Sequence, residues 1–117
     1  MTKLNYIKEA LSDVAKVCNI REDELSVDYS LNLDEELCSE LEKLEKISLV
    51  LRKALDEKDM IAVQAALIMS RIHSMNLRNF FNDIYDDIEM IGWTERFNWP
   101  EIPEDYRIPE HYNHPIK

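Results

Sequence analysis

The stretch LRKALDEKDMIAV, residues 51–63, decides the fold that this sequence predicts, because two long helical patterns meet there. It contains neither glycine nor proline, so a single helix over residues 33–91 is conceivable. The spacing of apolar residues argues against one helix, since Leu55 is followed by Met60 and a step of five shifts the phase of the apolar stripe. Asp59 is also a good N-cap for a new helix. We therefore predict a tight turn between two antiparallel helices.

The helix before this turn is predicted over residues 33–57. Asn32 and Glu35 have the spacing of a capping box, and acidic residues follow at the positive start of the helix. Apolar positions recur at alternating steps of four and three, which is the spacing of a coiled-coil seam with one serine in it. The seam consists of Leu37, Leu41, Leu44, Ser48, Leu51 and Leu55.

The helix after the turn is predicted over residues 60–91, with the sole glycine, Gly92, as a left-handed C-cap. The same alternation of steps continues along this helix. It runs through Met60, Val63, Leu67, Ser70, Ser74, Leu77, Phe81, Ile84, Ile88 and Ile91. A second apolar stripe occupies only the first half of the helix, so residues 60–69 are apolar on nearly all sides.

This second stripe predicts self-association. At 1.5 Å per residue the helix is about 48 Å long, and a shorter helix with a short N-terminal one cannot easily surround it. We expect an oligomer interface, most simply a two-fold dimer that completes a bundle. The residues expected there are Ile61, Ala65, Ile68 and Ile72. The alternative is that the N-terminal helix and the tail cover this surface within one chain.

The remaining segments complete an all-α prediction. A first helix is predicted over residues 3–18, followed by a connection over 19–32 with a short helical turn at 22–25. The predicted fold is a helical bundle built on a long antiparallel helix hairpin, with a short N-terminal helix and an extended C-terminal tail rich in proline and aromatic residues. Residues 1–92 form the bundle domain and residues 93–117 the tail.

The tail, residues 93–117, contains all four prolines and both tryptophans of the chain. Proline opposes regular helix, whereas large aromatic side chains give a segment the bulk to pack. One interpretation is a strap laid along the bundle. The other is a docking segment for a partner, with Trp99 and Tyr106 as anchors. The two can coexist if residues 93–103 form the strap and residues 104–117 project.

The net charge of −10, from 24 acidic and 14 basic residues, disfavours direct binding to nucleic acid or to an anionic membrane. It favours a basic protein partner, and the simplest alternative is that acidity keeps a small protein soluble. The sequence has no apolar run long enough for a membrane span, no signal peptide and no CxxC pair. We therefore expect a cytoplasmic protein with two buried free thiols, Cys18 and Cys38.

Two acidic groups are expected at the same end of the hairpin and are candidate contacts for a basic partner. They are Glu35, Glu36 and Glu40 in the first long helix and Asp83, Asp86 and Asp87 in the second. The arrangement resembles the all-helical nucleotide pyrophosphohydrolases of the MazG type, which carry EExxE on one helix and ExxD on the next. The resemblance implies a Mg²⁺-dependent hydrolase that uses Glu36, Glu40, Asp83 and Asp86. The competing interpretation is a solvated acidic end.

Other catalytic signatures are lacking. With one glycine the chain has no phosphate-binding loop, and it has no nucleophile elbow and no Glu-x-x-His motif. His73 stands alone on its helix, and His111 with His114 is weak evidence for a metal site. The sequence thus predicts a small acidic non-enzymatic binding protein, an inhibitor or adaptor without cofactors, that occupies a basic surface of a partner. The alternatives are the MazG-like hydrolase and a structural assembly subunit.

Overall fold

The structure is a computed structural model that describes residues 3–113, so His114 and Pro115 lie outside the described residues. It contains three α-helices, α1 (Asn5–Val17), α2 (Leu33–Asp56) and α3 (Met60–Gly92), and 3₁₀ turns at Glu22–Glu24 and Glu110–Tyr112. The contacts between helices are mainly those of α2 with α3. The predicted all-α fold, built on a long helix hairpin with a short N-terminal helix, is confirmed.

The hairpin turn forms as the sequence predicts. The side chain of Asp59 accepts a hydrogen bond of 3.1 Å from the backbone N–H of Ala62, which caps α3. On the other side of the turn the N–H of Asp59 donates to the carbonyl of Ala54 at 2.9 Å, which closes the end of α2. Lys58 between them has a φ of 57°, and this left-handed residue reverses the chain direction.

The N-terminal ends of α1 and α2 are tied together by side chains. Asn32 caps α2 by accepting from the N–H of Glu35 at 3.2 Å, as predicted, and it also accepts from the side-chain amide of Asn5 at 2.8 Å. The carboxylate of Asp34 accepts from the backbone N–H groups of Leu4 and Asn5. The oxygens of Asn32 and Asp34 thus accept from N–H groups that have no partner within their own helix at the helix starts. The same bonds fix α1 at the open end of the hairpin.

The core lies at that open end, where α1 packs on the last turns of α3. Its buried members are Leu11, Ala15, Cys18, Ile20 and Ile91. Side chains from α1, the connection, α3 and the tail surround them, namely Ile7, Val14, Leu25, Tyr29, Ile84, Met90 and Phe97. The rest of the hairpin has only the narrow contact between α2 and α3, so α1 covers one end and leaves most of the hairpin bare.

The register of the hairpin differs in part from the predicted seam. The α2 positions turned toward α3 are Leu33, Leu37, Glu40, Leu44, Ile47, Leu51 and Ala54. Leu41, Ser48 and Leu55, which were predicted in the seam, are exposed. In α3, Met60, Leu67, Ser74, Phe81 and Ile88 are likewise exposed. A pair of helices can bury only a narrow strip on each, so one column of the predicted seam remains at the surface.

Two further predictions are wrong. Gly92 has no positive φ and is the last residue of α3, and the C-cap Trp93 donates an ordinary hydrogen bond from its N–H to the carbonyl of Glu89. Cys38 is exposed, because it lies on the outer side of α2, whereas Cys18 is buried as expected. Both thiols are free.

None of the helices within residues 3–113 combines the length and the apolar character needed to cross a lipid bilayer.

Candidate interaction surfaces

Asp87 lies in the interior of the protein. Only 1% of its surface is accessible, although the sequence placed it in a solvated acidic group. Its carboxylate accepts hydrogen bonds from the backbone N–H groups of Ser26, at 2.6 Å, and Val27, at 2.9 Å, and from the hydroxyl of Tyr29 at 3.0 Å. Asp87 therefore ties the connection between α1 and α2 to α3, and it is removed from the predicted set of surface contacts.

The same contacts change the chemistry of Tyr29. Partial burial, together with the charge of Asp87 and the hydrogen bond to it, raises the pKa of the Tyr29 phenol well above its ordinary value. The phenol is thus held as a hydrogen-bond donor to Asp87.

Glu40 faces α3 and is only partly accessible. One of its oxygens lies 3.3 Å from Nδ1 of His73 and 3.4 Å from the side-chain amide of Asn76, while the other lies 3.5 Å from the ammonium of Lys43. Burial favours the neutral acid, but the hydrogen bonds from Asn76 and His73 outweigh it, and the pKa of Glu40 is lowered. Glu40 joins the two helices in mid-hairpin.

Glu36 and Asp83 line one pocket of about 180 Å³ between the hairpin and the connection at residues 26–31. Burial and the neighbouring carboxylates of Asp87 and Asp86 raise the pKa of Asp83 above its ordinary value. Asp86 is exposed and accepts from the side chain of Asn82. Glu35 is also exposed, in the first turn of α2.

The residues expected to hold Mg²⁺ are not gathered into one cluster. Glu40 is engaged with His73, whereas Glu36 and Asp83 line the pocket near the open end. Within residues 3–113 no group of three or more acidic, histidine or cysteine side chains is arranged to hold a metal ion. This geometry gives the MazG-like hydrolase no support.

The first part of the tail, residues 93–99, is anchored to the bundle. The guanidinium of Arg96 forms a bidentate ion pair with the carboxylate of Glu24, at 2.7 and 2.8 Å. These hydrogen bonds lower the pKa of Glu24 to about 2. Phe97 packs against the core, and its ring meets that of Trp99 edge-on at 4.7 Å. The indole N–H of Trp99 donates to the carbonyl of Ile91 at 3.2 Å.

The second part of the tail, residues 100–113, leaves the bundle. All of its residues except the half-buried Pro109 are exposed, including Ile102 at 78%. Among the described residues, its hydrogen bonds join residues three positions apart and close short turns within the segment itself. Tyr106, one of the predicted anchors, is accessible here, while Trp99 belongs to the anchored part.

A repeat in this exposed segment was missed in the sequence. Residues 102–106 read IPEDY and residues 108–112 read IPEHY, so isoleucine, proline, glutamate and tyrosine recur six positions apart. The backbone repeats as well, because the N–H of Tyr106 donates to the carbonyl of Pro103 at 3.0 Å and that of Tyr112 donates to Pro109 at 3.1 Å. Self-comparison of the last twenty residues would have found the repeat.

The stripe predicted as an oligomer interface is exposed. Ile61, Ala65, Ile68 and Ile72 lie on the side of α3 that faces away from α2, and Ile61 is 86% accessible. Neither α1 nor the described part of the tail covers this side.

Comparisons with protein-family models, with curated protein sequences and with solved structures find no match for this chain.

Proposed function

We propose that this chain is a small acidic binding protein whose exposed tail segment, residues 100–113, docks on a basic surface of a protein partner. The repeated turn carries the proposal. Each copy presents one isoleucine and one tyrosine to solvent: Ile102 with Tyr106, and Ile108 with Tyr112. Isolated exposed apolar residues are ordinary, but a repeated pair in a repeated backbone turn is typical of a segment that fills pockets on another protein.

The charge of the segment specifies the partner. Glu101, Glu104, Asp105 and Glu110 alternate with the apolar residues along the sequence, and Arg107 is the only lysine or arginine of the segment. Glu35 and Asp86 are exposed at the end of the hairpin from which the tail departs. A complementary surface would pair apolar pockets with lysine or arginine. Such a complex forms quickly and weakens as salt rises, because screening acts on exposed charges.

Prolines lower the cost of this docking. Pro103 and Pro109 each begin a turn, and a fixed φ restricts the free segment before it binds. Less conformational entropy is then lost on association than for a flexible peptide.

The test is capture from a lysate of the native host with the intact chain and with a chain that ends at Pro100. The shorter chain keeps Arg96 and Trp99, so the bundle retains its anchored strap. We expect a stoichiometric basic protein on the intact chain only, released at high salt. Trp93→Ala is the matched control, because Trp93 is 76% exposed but lies outside the repeat.

The repeat itself is tested by alanine substitution at Tyr106, at Tyr112 and at both. If both copies of the repeat bind the partner at the same time, each single substitution weakens the complex. The double substitution then weakens the affinity by about the product of the two single fold-changes. Equal capture by the intact chain and the chain ending at Pro100 would contradict the proposal.

A further inference from the structure

On each long helix, one column of the predicted apolar seam is left at the surface instead of being buried between the helices. Residues seven positions apart stack nearly in line, since seven residues make almost two helical turns. The exposed columns are Leu41, Ser48 and Leu55 in α2, and Met60, Leu67, Ser74, Phe81 and Ile88 in α3. Their apolar members are each about half accessible. We call the surface formed by these two columns the broad face.

Both columns lie on the same side of the hairpin. Glu40 in α2 and Ala66 in α3 both face the other helix. Leu41 and Leu67 are the next residues in the sequence, so each exposed column is one residue after an inward-facing column. In two antiparallel right-handed helices, positions that follow the inward column point to the same side. The connection between α1 and α2 reaches α3 at Asp87, on the opposite flank of the contact between the helices. The start of α1 is bound to Asp34, in line with Leu41, so α1 lies beside the broad face at the open end only.

The pattern requires more helices than the hairpin contains. Two paired helices bury two columns on each, which is the seam of a two-stranded coiled coil. A third apolar column beside those two is typical of helices that face the core of a larger bundle. Both α2 and α3 carry this third column on the same side, so a complete bundle would need another pair of helices there.

We propose that the broad face packs against the broad face of a second copy, forming a two-fold dimer with a four-helix core. Glu40 contacts His73 and Asn76, so Ser48, eight residues nearer the turn, lies beside residues 65–68 of α3. If the two-fold axis passes at that level with the hairpin turns at opposite ends, the two faces overlap over about 20–24 Å, and two adjacent helices make the overlap about 20 Å wide. The footprint is then roughly 400–500 Å² on each copy, which is the size of a weak, reversible interface. A second hairpin has the same width and apolar character over this overlap.

Charges select the orientation of the second copy. The acidic residues Glu35, Glu36 and Asp86 all lie at the open end of the hairpin, so placing both open ends together would oppose like charges. With the two hairpin turns at opposite ends and the two-fold axis near Ser48, these groups are kept apart. Glu45 and Arg52 lie at similar distances from Ser48 on opposite sides of it, so the two-fold axis places Glu45 of one copy close to Arg52 of the other.

The stripe of Ile61, Ala65, Ile68 and Ile72 is the competing interface. It is one helix wide and gives way to Asn76 and Asn79 beyond Met75, so it offers a smaller contact than the broad face. Neighbouring residues separate the two surfaces: Leu67 belongs to the broad face and Ile68 to the stripe.

The test compares Leu67→Glu with Ile68→Glu in the full-length chain, by sedimentation equilibrium over a range of protein concentrations. The two residues are 52% and 56% accessible, so the same change has a similar effect on the folded monomer. We expect a dimer for the wild type and for Ile68→Glu. Leu67→Glu brings two carboxylates together at the centre of the face and weakens dimerisation on the order of 100-fold or more.

Circular dichroism shows whether both variants keep their helices. A monomeric wild type, a dimer that survives Leu67→Glu, or a dimer that is lost in Ile68→Glu would overturn the proposal.

The orientation is tested with a spin label on the exposed Cys38, since Cys18 is buried. Cys38 lies ten positions from Ser48, so the two labels in the dimer should be on the order of 30 Å apart or more when the hairpin turns lie at opposite ends. A separation of about 20 Å or less would overturn that orientation.

Discussion

Replacing Asp87 with alanine is the change that should destabilise this protein most clearly. The carboxylate is buried and holds three hydrogen bonds from the connection between α1 and α2. The substitution removes all three acceptor contacts at once. It leaves the N–H of Val27, a buried residue, without its partner, whereas Ser26 is exposed and its N–H can bind water instead.

The magnitude follows from those contacts. A hydrogen bond to a charged group contributes about 1.5–3 kcal/mol, and a buried donor left unpaired costs about 1–3 kcal/mol. Relief from burying the charge offsets part of this loss. We expect the free energy of unfolding to fall by about 3–5 kcal/mol, a large share of the roughly 6–17 kcal/mol typical of a chain of this length. The melting temperature should then drop by roughly 10–20 °C.

Asp86→Ala is the matched control. Asp86 is adjacent and exposed, and its contact is a hydrogen bond from Asn82 on the same helix, so a change within about 0.5 kcal/mol is expected. Urea unfolding followed by circular dichroism measures both variants. Tyr29→Phe should cost about 1.5–3 kcal/mol, because it deletes one hydrogen bond to the charged carboxylate and leaves the other two. Equal stability of the Asp86→Ala and Asp87→Ala variants would refute this reasoning.

Three further predictions concern the tail and the thiols. Acidification from pH 5 toward pH 2 should loosen the tail. The pKa of Glu24 is lowered to about 2 from an ordinary 4.5, so its ion pair with Arg96 stabilises the protein fully above pH 4.5 and is lost as the pH falls toward 2. Tryptophan fluorescence measures this change, and Glu24→Gln should remove the transition. Ending the chain at Gly92 should destabilise the bundle by about 2–3 kcal/mol through lost aromatic burial, whereas ending it at Pro100 should not, as thermal unfolding will show. Native protein should react with a thiol reagent at Cys38 only, and faster after Glu42→Gln, because the hydrogen bond to Glu42 raises the pKa of that thiol.

The hairpin could be predicted from the sequence because its signals are local. The step from Leu55 to Met60 and the caps at Asn32 and Asp59 depend on residues within one or two turns of each other. The exact face of each helix could not be predicted in the same way. Leu37, Leu41 and Leu44 fit one stripe equally well, and only the contact with α3 shows that Leu41 lies outside it.

The acidic groups show a second limit. Sequence spacing placed Asp83, Asp86 and Asp87 on one side of a helix, but their environments differ because of a connection sixty positions away. The backbone N–H groups of Ser26 and Val27 turn Asp87 into a buried anchor, and nothing in the local sequence around Asp87 indicates this. Asp86, one position earlier, faces solvent.

The division of the tail was only partly predictable. Its prolines and aromatic residues indicated both a strap and a docking segment. The boundary between them depends on Arg96 reaching Glu24 and on Trp99 reaching Ile91, which are contacts over long distances or across a helix end. The repeat of residues 102–106 in residues 108–112 is a sequence signal, and it agrees with the boundary that those contacts set.

The most direct test of the proposed function is a calorimetric titration of the captured partner, once purified, with the intact chain and with the chain that ends at Pro100, each at low and high salt. Four exposed anchors worth about 1 kcal/mol or more each predict that truncation weakens the affinity at least ~100-fold, and that the intact chain binds more weakly at high salt. Equal affinity of the two chains at both salt concentrations would contradict the docking role of the tail.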